Sequence, residues 1–365
     1  MADANGAGRG HRRNERMKFA SDNWAGASPR VREAIITASE GFATAYGLDA
    51  TTAALVDRLG QLFEREVAVF LVPTGTAANA LSLGALCPPY GSVLAHEEAH
   101  VIGDEFGAPE FFTQGARLVG IAGISGKLTP DAVAATLQRL AASGPRTAVP
   151  ATLSITQATE CGTVYGPAEV AALASLAKGA GLAVHMDGAR FANAVAALGC
   201  TPAETTWRAG VDILSFGGSK NGALMAEAVV VFDKARADGV DWRRRRGGHV
   251  LSKARLISSQ FTALVTDGHW LELAGHANAM AARLAAGLAA AGHRIPWPTQ
   301  ANEVFPILPR SVVARLKAAG ADFYEWPSAS LAPSDQPAAD EMMVRLVASF
   351  ATTPAEVERF LEIAG

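Results

Sequence analysis

The feature that most constrains this chain is a repeated alternation between residues 68 and 232. Short apolar runs at 68–72, 92–95, 148–155, 182–186, 213–216 and 228–232 are each followed or preceded by a helical pattern. Runs of that length, rich in Val, Ile, Leu and Ala, read as strands buried on both faces. The helical stretch 167–180 starts at Pro167 and stops at Gly181, the expected punctuation of a helix. Strands alternating with helices build a mostly parallel sheet covered on both sides. From about residue 250 the pattern changes: 251–291 is rich in Ala and Leu and helical throughout. After Pro298 come short strands at 304–308 and 344–348 and a terminal helix at 354–363. The expected architecture is therefore α/β, a large domain with a mostly parallel sheet plus a smaller α+β domain. The expected division is 1–16 as a disordered extension, 17–60 as an N-terminal segment associated with the smaller domain, 61–265 as the large domain and 266–365 as the small one.

Composition narrows the functional classes. Of 365 residues, 49% are hydrophobic and 18% charged, enough apolar side chain for a sizeable core. No stretch approaches the roughly 18 to 20 consecutive apolar residues of a membrane span. A net charge of −3 and a pI near 6.3 speak against nucleic acid as a partner. Cys87, Cys161 and Cys200 lie far apart, with no CxxC pair, so neither a zinc site nor a thioredoxin-type motif has support. Three such cysteines fit free thiols in a reducing cytoplasm. Residues 1–16 are rich in Gly, Asn and Arg and lack the apolar core of a signal peptide; Met17 offers an alternative start.

In an open parallel sheet, ligands sit outside the carboxyl ends of the strands, and several polar clusters fall there. Thr74-Gly75-Thr76-Ala77-Ala78-Asn79 follows a strand and opens a helix. Helix-start amides and Thr hydroxyls suit a phosphate; an ordinary strand–turn–helix cap reads equally well. Asp187, in His185-Met186-Asp187-Gly188-Ala189-Arg190, is placed to hold a heterocyclic nitrogen protonated; its plain alternative is a helix cap. Lys220 lies among small residues in Ser215-Phe216-Gly217-Gly218-Ser219-Lys220-Asn221-Gly222. A lysine so placed reaches into a pocket and can form a Schiff base, whereas alone it reads as an exposed loop lysine. His100 is placed to stack on a flat ring and act as a base, or to serve a structural role; His96 reads as a bystander. Arg345, inside an apolar strand, needs an anionic partner, either a substrate carboxylate or an internal ion pair. The order phosphate cup, strand-end Asp, strand-end Lys is what shifts these readings toward a pyridoxal-phosphate site.

Together these residues resemble a known family. From Phe19 onward, Phe19-Ala-Ser-Asp-Asn23, Phe70 through Asn79, Ala99-His100-Val101, Gly107 through Phe112, Ile155 through Glu160, His185 through Asn193 and Phe216 through Gly222 are similar to the threonine aldolases of the β-eliminating lyase group, above all those of low specificity. The resemblance implies the aspartate-aminotransferase-like fold type I and pyridoxal 5'-phosphate as cofactor. It also implies a lyase that splits β-hydroxy-α-amino acids to glycine and an aldehyde. Other lyases or transferases of the same fold, or a non-catalytic scaffold, are the alternative readings. Carried over by position, Lys220 would bear the cofactor, Asp187 its ring nitrogen and His100 its ring face, with Thr74, Gly75, Thr76 and Asn79 at the phosphate. Ser21, Arg190 and Arg345 would bind the substrate carboxylate, with Arg190 also toward the ring hydroxyl and Tyr46 near the substrate. The resemblance further implies a homo-oligomer, dimer or tetramer, with active sites at the subunit interface. Lys253 and the Arg243–Arg246 run would be placed toward a neighbouring subunit's phosphate, although the run reads more simply as a solvated charge cluster. In one respect the chain departs from the pattern: where many relatives carry a second active-site histidine, this sequence has Gln157-Ala158-Thr159-Glu160.

Overall fold

The computed structural model describes residues 16–328 and 330–365. The expectation of disorder before residue 17 falls, apart from Arg16, outside those residues. The described chain enters through a two-residue strand, β1 (Met17–Lys18). Seven strands then make the central sheet: β2 (Ala68–Val72), β3 (Gly91–His96), β4 (Arg117–Ile121), β5 (Val149–Thr156), β6 (Ala183–Gly188), β7 (Ile213–Gly217) and β8 (Glu227–Val231). Their spatial order is β2-β8-β7-β6-β5-β3-β4. β8 runs antiparallel to both neighbours and every other pairing is parallel. Six of the seven strands coincide with the apolar runs. β4 does not: Arg117 and Gly120 are exposed and only Ile121 is buried, so an edge strand hid from a search for apolar runs.

Beneath the sheet an aromatic cluster fills the core. Phe63 meets Phe232 at 5.3 Å between ring centroids and Phe216 at 6.0 Å. Phe191 stacks on Trp270, and Phe216 lies 5.4 Å from Phe261. Val31, Leu55, Leu59 and Phe63 all belong to this core, which corrects the placement of segment 17–60 with the smaller domain. Only its first residues go there: β1 pairs in parallel with β11 (Ala321–Asp322). Met17 and Phe19 pack with Val344, Leu346 and Phe360 in a second core.

That second core is built around a small antiparallel sheet. β13 (Glu341–Val347) pairs with β9 (Glu303–Val304), β10 (Ile307–Pro309) and β12 (Tyr324–Glu325), and the capped helix Pro354–Ala364 covers it. The stretch 251–291 is two helices, Arg255–Val265 and His269–Ala290, and not one. Asp267 (φ 54°) and Gly268 (φ 73°) break the run between them in the left-handed region. The second helix spans both cores: Trp270 and Ala274 pack in the first, Ala281, Leu284 and Leu288 in the second. The boundary at residue 266 thus runs beside a shared element. Among the described residues no helix is long and apolar enough to cross a membrane.

Phe63 is fully buried among three other phenylalanines. Phe63→Ala is expected to lower the unfolding free energy by about 3–5 kcal/mol, since a cavity of that shape cannot fully collapse. Urea unfolding of the two proteins checks this; equal midpoints would show that the cluster repacks.

Candidate active site

Sheet register assembles the site. Asp187, near the carboxyl end of β6, sits beside Thr156 of β5 and Ser215 of β7. Glu227 opens β8 between Val72 and Gly217. Gly217 leads into the turn that carries Lys220, and it must be glycine. A Cβ there would lie 2.7–3.0 Å from the Ala189 backbone, which is immovable in the turn after β6. A cavity of about 320 Å³ opens at these strand ends. Lys220, Asp187, His100, Thr74, Gly75, Thr76, Asn79 and Arg190 all line it, as do Glu160 and Glu227.

One wall is the start of the helix Gly75–Leu86. Thr74 Oγ1 accepts the Ala77 N–H at 3.1 Å and caps it. The N–H groups of Gly75 and Thr76 have no acceptor within the helix, and a Cβ on Gly75 would meet open space. Such a terminus draws anions. Asn79, expected beside a phosphate, serves elsewhere. Its Nδ2 donates to both Asp187 Oδ2 and Glu105 Oε1, each at 2.7 Å. Its amide nitrogen is therefore taken by two carboxylates, and it ties Asp187 to the wall behind His100.

His100 Nδ1 bonds Glu105 Oε1 at 2.9 Å, which raises the imidazole pKa against the opposing effect of burial. Glu105 is itself buried, and desolvation pushes its carboxyl up. Asp187 is 3% exposed and accepts from the Ala189 N–H at 3.0 Å as well as from Asn79. Behind it, His185 bonds Ser154 and Ser215 at 2.9 and 3.0 Å. Burial depresses its pKa to about 4, so this ring is neutral and structural. His96, treated as a bystander, is buried outside the cavity lining.

The two arginines differ. Arg190 gives Nε and Nη2 to Asp22 at 2.8 and 3.1 Å, and its Nη1 forms an ion pair with Glu303 Oε2 at 3.3 Å without a hydrogen bond. One edge of its guanidinium is thus engaged inside the protein, while the residue still lines the cavity. Burial pushes the Asp22 carboxyl up, but Arg190, Lys220 and two hydrogen bonds outweigh it and leave Asp22 below the ordinary range. Arg345 is less committed: Nη2 reaches the Ala20 carbonyl at 3.4 Å, and Nε has no hydrogen-bond partner among the described residues. Its guanidinium lies 4.4 Å over the Trp326 ring and 5.7 Å from that of Tyr324. Ser21 caps the short helix Asp22–Trp24 beside this cluster. Tyr46 stands apart, exposed and with φ 61°, outside the cavity lining of its own chain.

Sequence reasoning passed over four acids here: Asp22, Glu105, Glu227 and Glu303. Glu160 was noticed only for not being a histidine. Each is a single carboxylate on a different element, without local spacing to mark it.

A beta-eliminating lyase family model matches residues 18–310. The chain belongs to that family. It is 43% identical over 310 residues to a low specificity L-threonine aldolase of Pseudomonas sp., covering 84% of this chain and 89% of that one. It is 44% identical over 311 residues to another from Pseudomonas aeruginosa, with the same coverage. A threonine aldolase structure from Leishmania major superposes with a TM-score of 0.88 at 28% identity, over 95% of this chain and 98% of that one. Serine palmitoyltransferase of Sphingomonas wittichii shares the fold alone, at a TM-score of 0.69 and 17% identity over 95% and 85% of the two chains. Fold type I, expected from the sequence, is thus the fold of this β-eliminating lyase family member.

The buried acids of this lyase lend it a pH signature. Burial raises the Glu227 carboxyl to about 7 from its ordinary 4.5, partly offset by Ser219 and Lys220. The folded chain binds that proton more tightly than the unfolded chain. The stability it contributes is present below about 4.5 and is lost as pH rises through about 7. Glu227→Gln is therefore expected to flatten the decline in unfolding free energy of the cofactor-free chain across that window. Urea unfolding at several pH values measures it; parallel declines in both proteins would place the proton elsewhere.

Proposed function

We propose that this chain uses pyridoxal 5'-phosphate to cleave the Cα–Cβ bond of L-threonine, L-allo-threonine and related β-hydroxy-α-amino acids, releasing glycine and an aldehyde. The observation that carries the reading is the meeting of Lys220, Asp187 and the Gly75–Leu86 helix start around one cavity. The residues fit the cofactor. The helix start supplies donors for a phosphate, and the open space beside Gly75 gives it room. Asp187 is a buried carboxylate held only by neutral amides, the Ala189 N–H and Asn79, so a cationic ring nitrogen would complete its charge balance. Lys220 would hold the cofactor covalently through Nζ, and His100 would cover the ring face. When bound, the cofactor supplies an electron sink conjugated to the substrate's Cα.

The chain's own residues then orient the substrate. Arg345, with an unspent Nε and a guanidinium fixed over Trp326, takes the α-carboxylate. Arg190, locked by Asp22 and Glu303, shapes the wall on which the substrate rests. Holding the carboxylate limits how the substrate turns about Cα, and orientation of that kind lowers the barrier to one cleavage over others. Arg345→Ala is expected to raise KM by roughly 10- to 100-fold, the worth of a charge-assisted hydrogen bond. An unchanged KM would return Arg345 to a purely internal role.

The reading includes a homo-oligomer, a dimer or tetramer with active sites at the interface. Phe42, Tyr46 and Leu48 form an exposed apolar loop, and Phe106, Phe111 and Trp242 are exposed as well; a second subunit would cover such surface. In that assembly Tyr46 serves the neighbour's cavity. A cytoplasmic location agrees with three free thiols, two of them buried.

The deciding experiment compares the protein with Lys220→Ala. Visible absorption is recorded with pyridoxal 5'-phosphate, and acetaldehyde is assayed after L-threonine and L-allo-threonine. A band that requires Lys220, with acetaldehyde from either isomer, is the expected result. A band without acetaldehyde would move the chain to another reaction on the same cofactor. No band would remove the cofactor and this reading.

A further inference from the structure

Two carboxylates of the cavity are left without a task by these assignments, Glu227, which accepts the Ser219 N–H at 3.3 Å, and Glu160. Glu160 follows β5 in the stretch Gln157-Ala158-Thr159-Glu160. Its Oε1 accepts the backbone N–H of His100 at 2.7 Å, which pins the head group against the histidine assigned to the ring face. Its Oε2 is shielded from solvent and has no hydrogen-bond partner among the described residues. The residue lines the same cavity as Lys220, Asp187 and Thr156. A buried carboxylate oxygen without a partner is costly in a native fold unless something else satisfies it. A hydroxyl on a ligand seated in this cavity is one donor that would complete it.

We infer that Glu160 is the catalytic base of the aldol cleavage, accepting the proton of the substrate's β-hydroxyl on Oε2. The inference rests on the reading proposed above and names the residue responsible for its proton transfer. The step balances. The O–H proton passes to the Glu160 carboxylate, and the oxygen's electron pair forms the aldehyde C=O as Cα–Cβ breaks. The bonding pair remains with Cα and the electron sink attached to it. Cα then gains one proton for the one the hydroxyl lost, so no oxidant or further reactant is required. Burial raises the Glu160 carboxyl to about 7, opposed by the His100 N–H, its own backbone N–H and the Thr156 hydroxyl, and reinforced by the Asp187 charge. That places its proton affinity where a base works near neutral pH. The groups that face it are His100, Asp187, Arg190, Cys161 and Tyr165. Cys161 and Tyr165 both have their pKa values pushed well up, chiefly by burial, and stay protonated there. Glu105 and Glu303 also have oxygens without a hydrogen-bond partner, but they are engaged with His100 and Arg190 and neither lines the cavity, so among the described residues Glu160 is the cavity-lining carboxylate with such an oxygen.

Glu160→Gln keeps an acceptor for the His100 amide and removes the ability to take a proton. The holoenzyme and this variant are compared by three measurements: visible titration with pyridoxal 5'-phosphate, exchange of the glycine Cα–H in deuterated water, and threonine cleavage. Glycine has no β-hydroxyl, so its exchange does not use the proposed base. The expected result is unchanged cofactor affinity and glycine exchange, with kcat on L-threonine lower by about a hundredfold or more. Glu160→Asp, a carboxylate on a shorter arm, should recover part of kcat and keep the acidic limb of the pH profile that Glu160→Gln loses. A threonine kcat in Glu160→Gln within roughly threefold of the parent would overturn the inference. So would glycine exchange falling in step with kcat, which would make Glu160 a support for His100 only. A parent protein that takes up no cofactor, or makes no acetaldehyde, would instead bring down the functional reading on which the inference stands.

Discussion

A guanidinium buried in protein needs its counter-charge built beside it, and Arg190 is where this chain meets that demand. The ion cluster joins three distant parts of the sequence. Asp22 belongs to the N-terminal segment, Arg190 follows β6 of the large sheet, and Glu303 is the first residue of β9 in the smaller core. Asn302 adds a hydrogen bond to Asp22 at 3.0 Å and another to the Ala348 carbonyl at 2.7 Å. Loss of Arg190 would leave two carboxylates uncompensated and buried, at about 3–5 kcal/mol or more. The cluster therefore fixes where the N-terminal segment and the smaller core meet the carboxyl edge of the sheet. Arg345 reaches the cavity's neighbourhood because β13, which carries it, pairs with the strand that carries Glu303.

A second set of contacts runs along the opposite wall. His100, Glu105, Asn79 and Asp187 form one chain of hydrogen bonds. Asn79 is its pivot, since one NH2 group joins two carboxylates that would otherwise repel. Asp187 and, through Glu105, His100 are thus tied to a common side chain. The helix that supplies Asn79 also supplies the anion-binding start at Gly75. Three features of the site consequently move as one body with a single helix, whose Thr74 cap sets its first turn.

Much of this was legible in the sequence, for definite reasons. Strands buried on both faces announce themselves as apolar runs, so β2, β3, β5, β6, β7 and β8 were recognisable. β4 was not, because a half-exposed edge strand needs no such run. The break at 266–268 was missed because one left-handed Asp before a Gly leaves the surrounding Ala/Leu pattern intact. In the site, Lys220, Asp187, His100 and Gly75 sit in motifs at strand ends, and the structure brings them to one cavity. Asn79 and Arg190 were correctly located but their internal partners were not foreseen, since a motif gives a residue's position and not its hydrogen-bond partners. Asp22, Glu105, Glu227 and Glu303 had no local signal. Each matters only through a contact made across the fold, such as the 168 positions between Asp22 and Arg190.

The helix His269–Ala290 has a mechanical meaning. At 22 residues it is about 33 Å long, and its two halves are embedded in different cores. It acts as a shaft, not a hinge. Any rotation of the smaller core against the larger must bend or tilt this rod, because no flexible loop interrupts it. Stiffness of that kind favours small, springlike displacements about one resting geometry. The width of the cavity mouth is then set by side chains along a nearly rigid frame, and changes in which substrates enter should come by exchanging those side chains while the frame keeps its form.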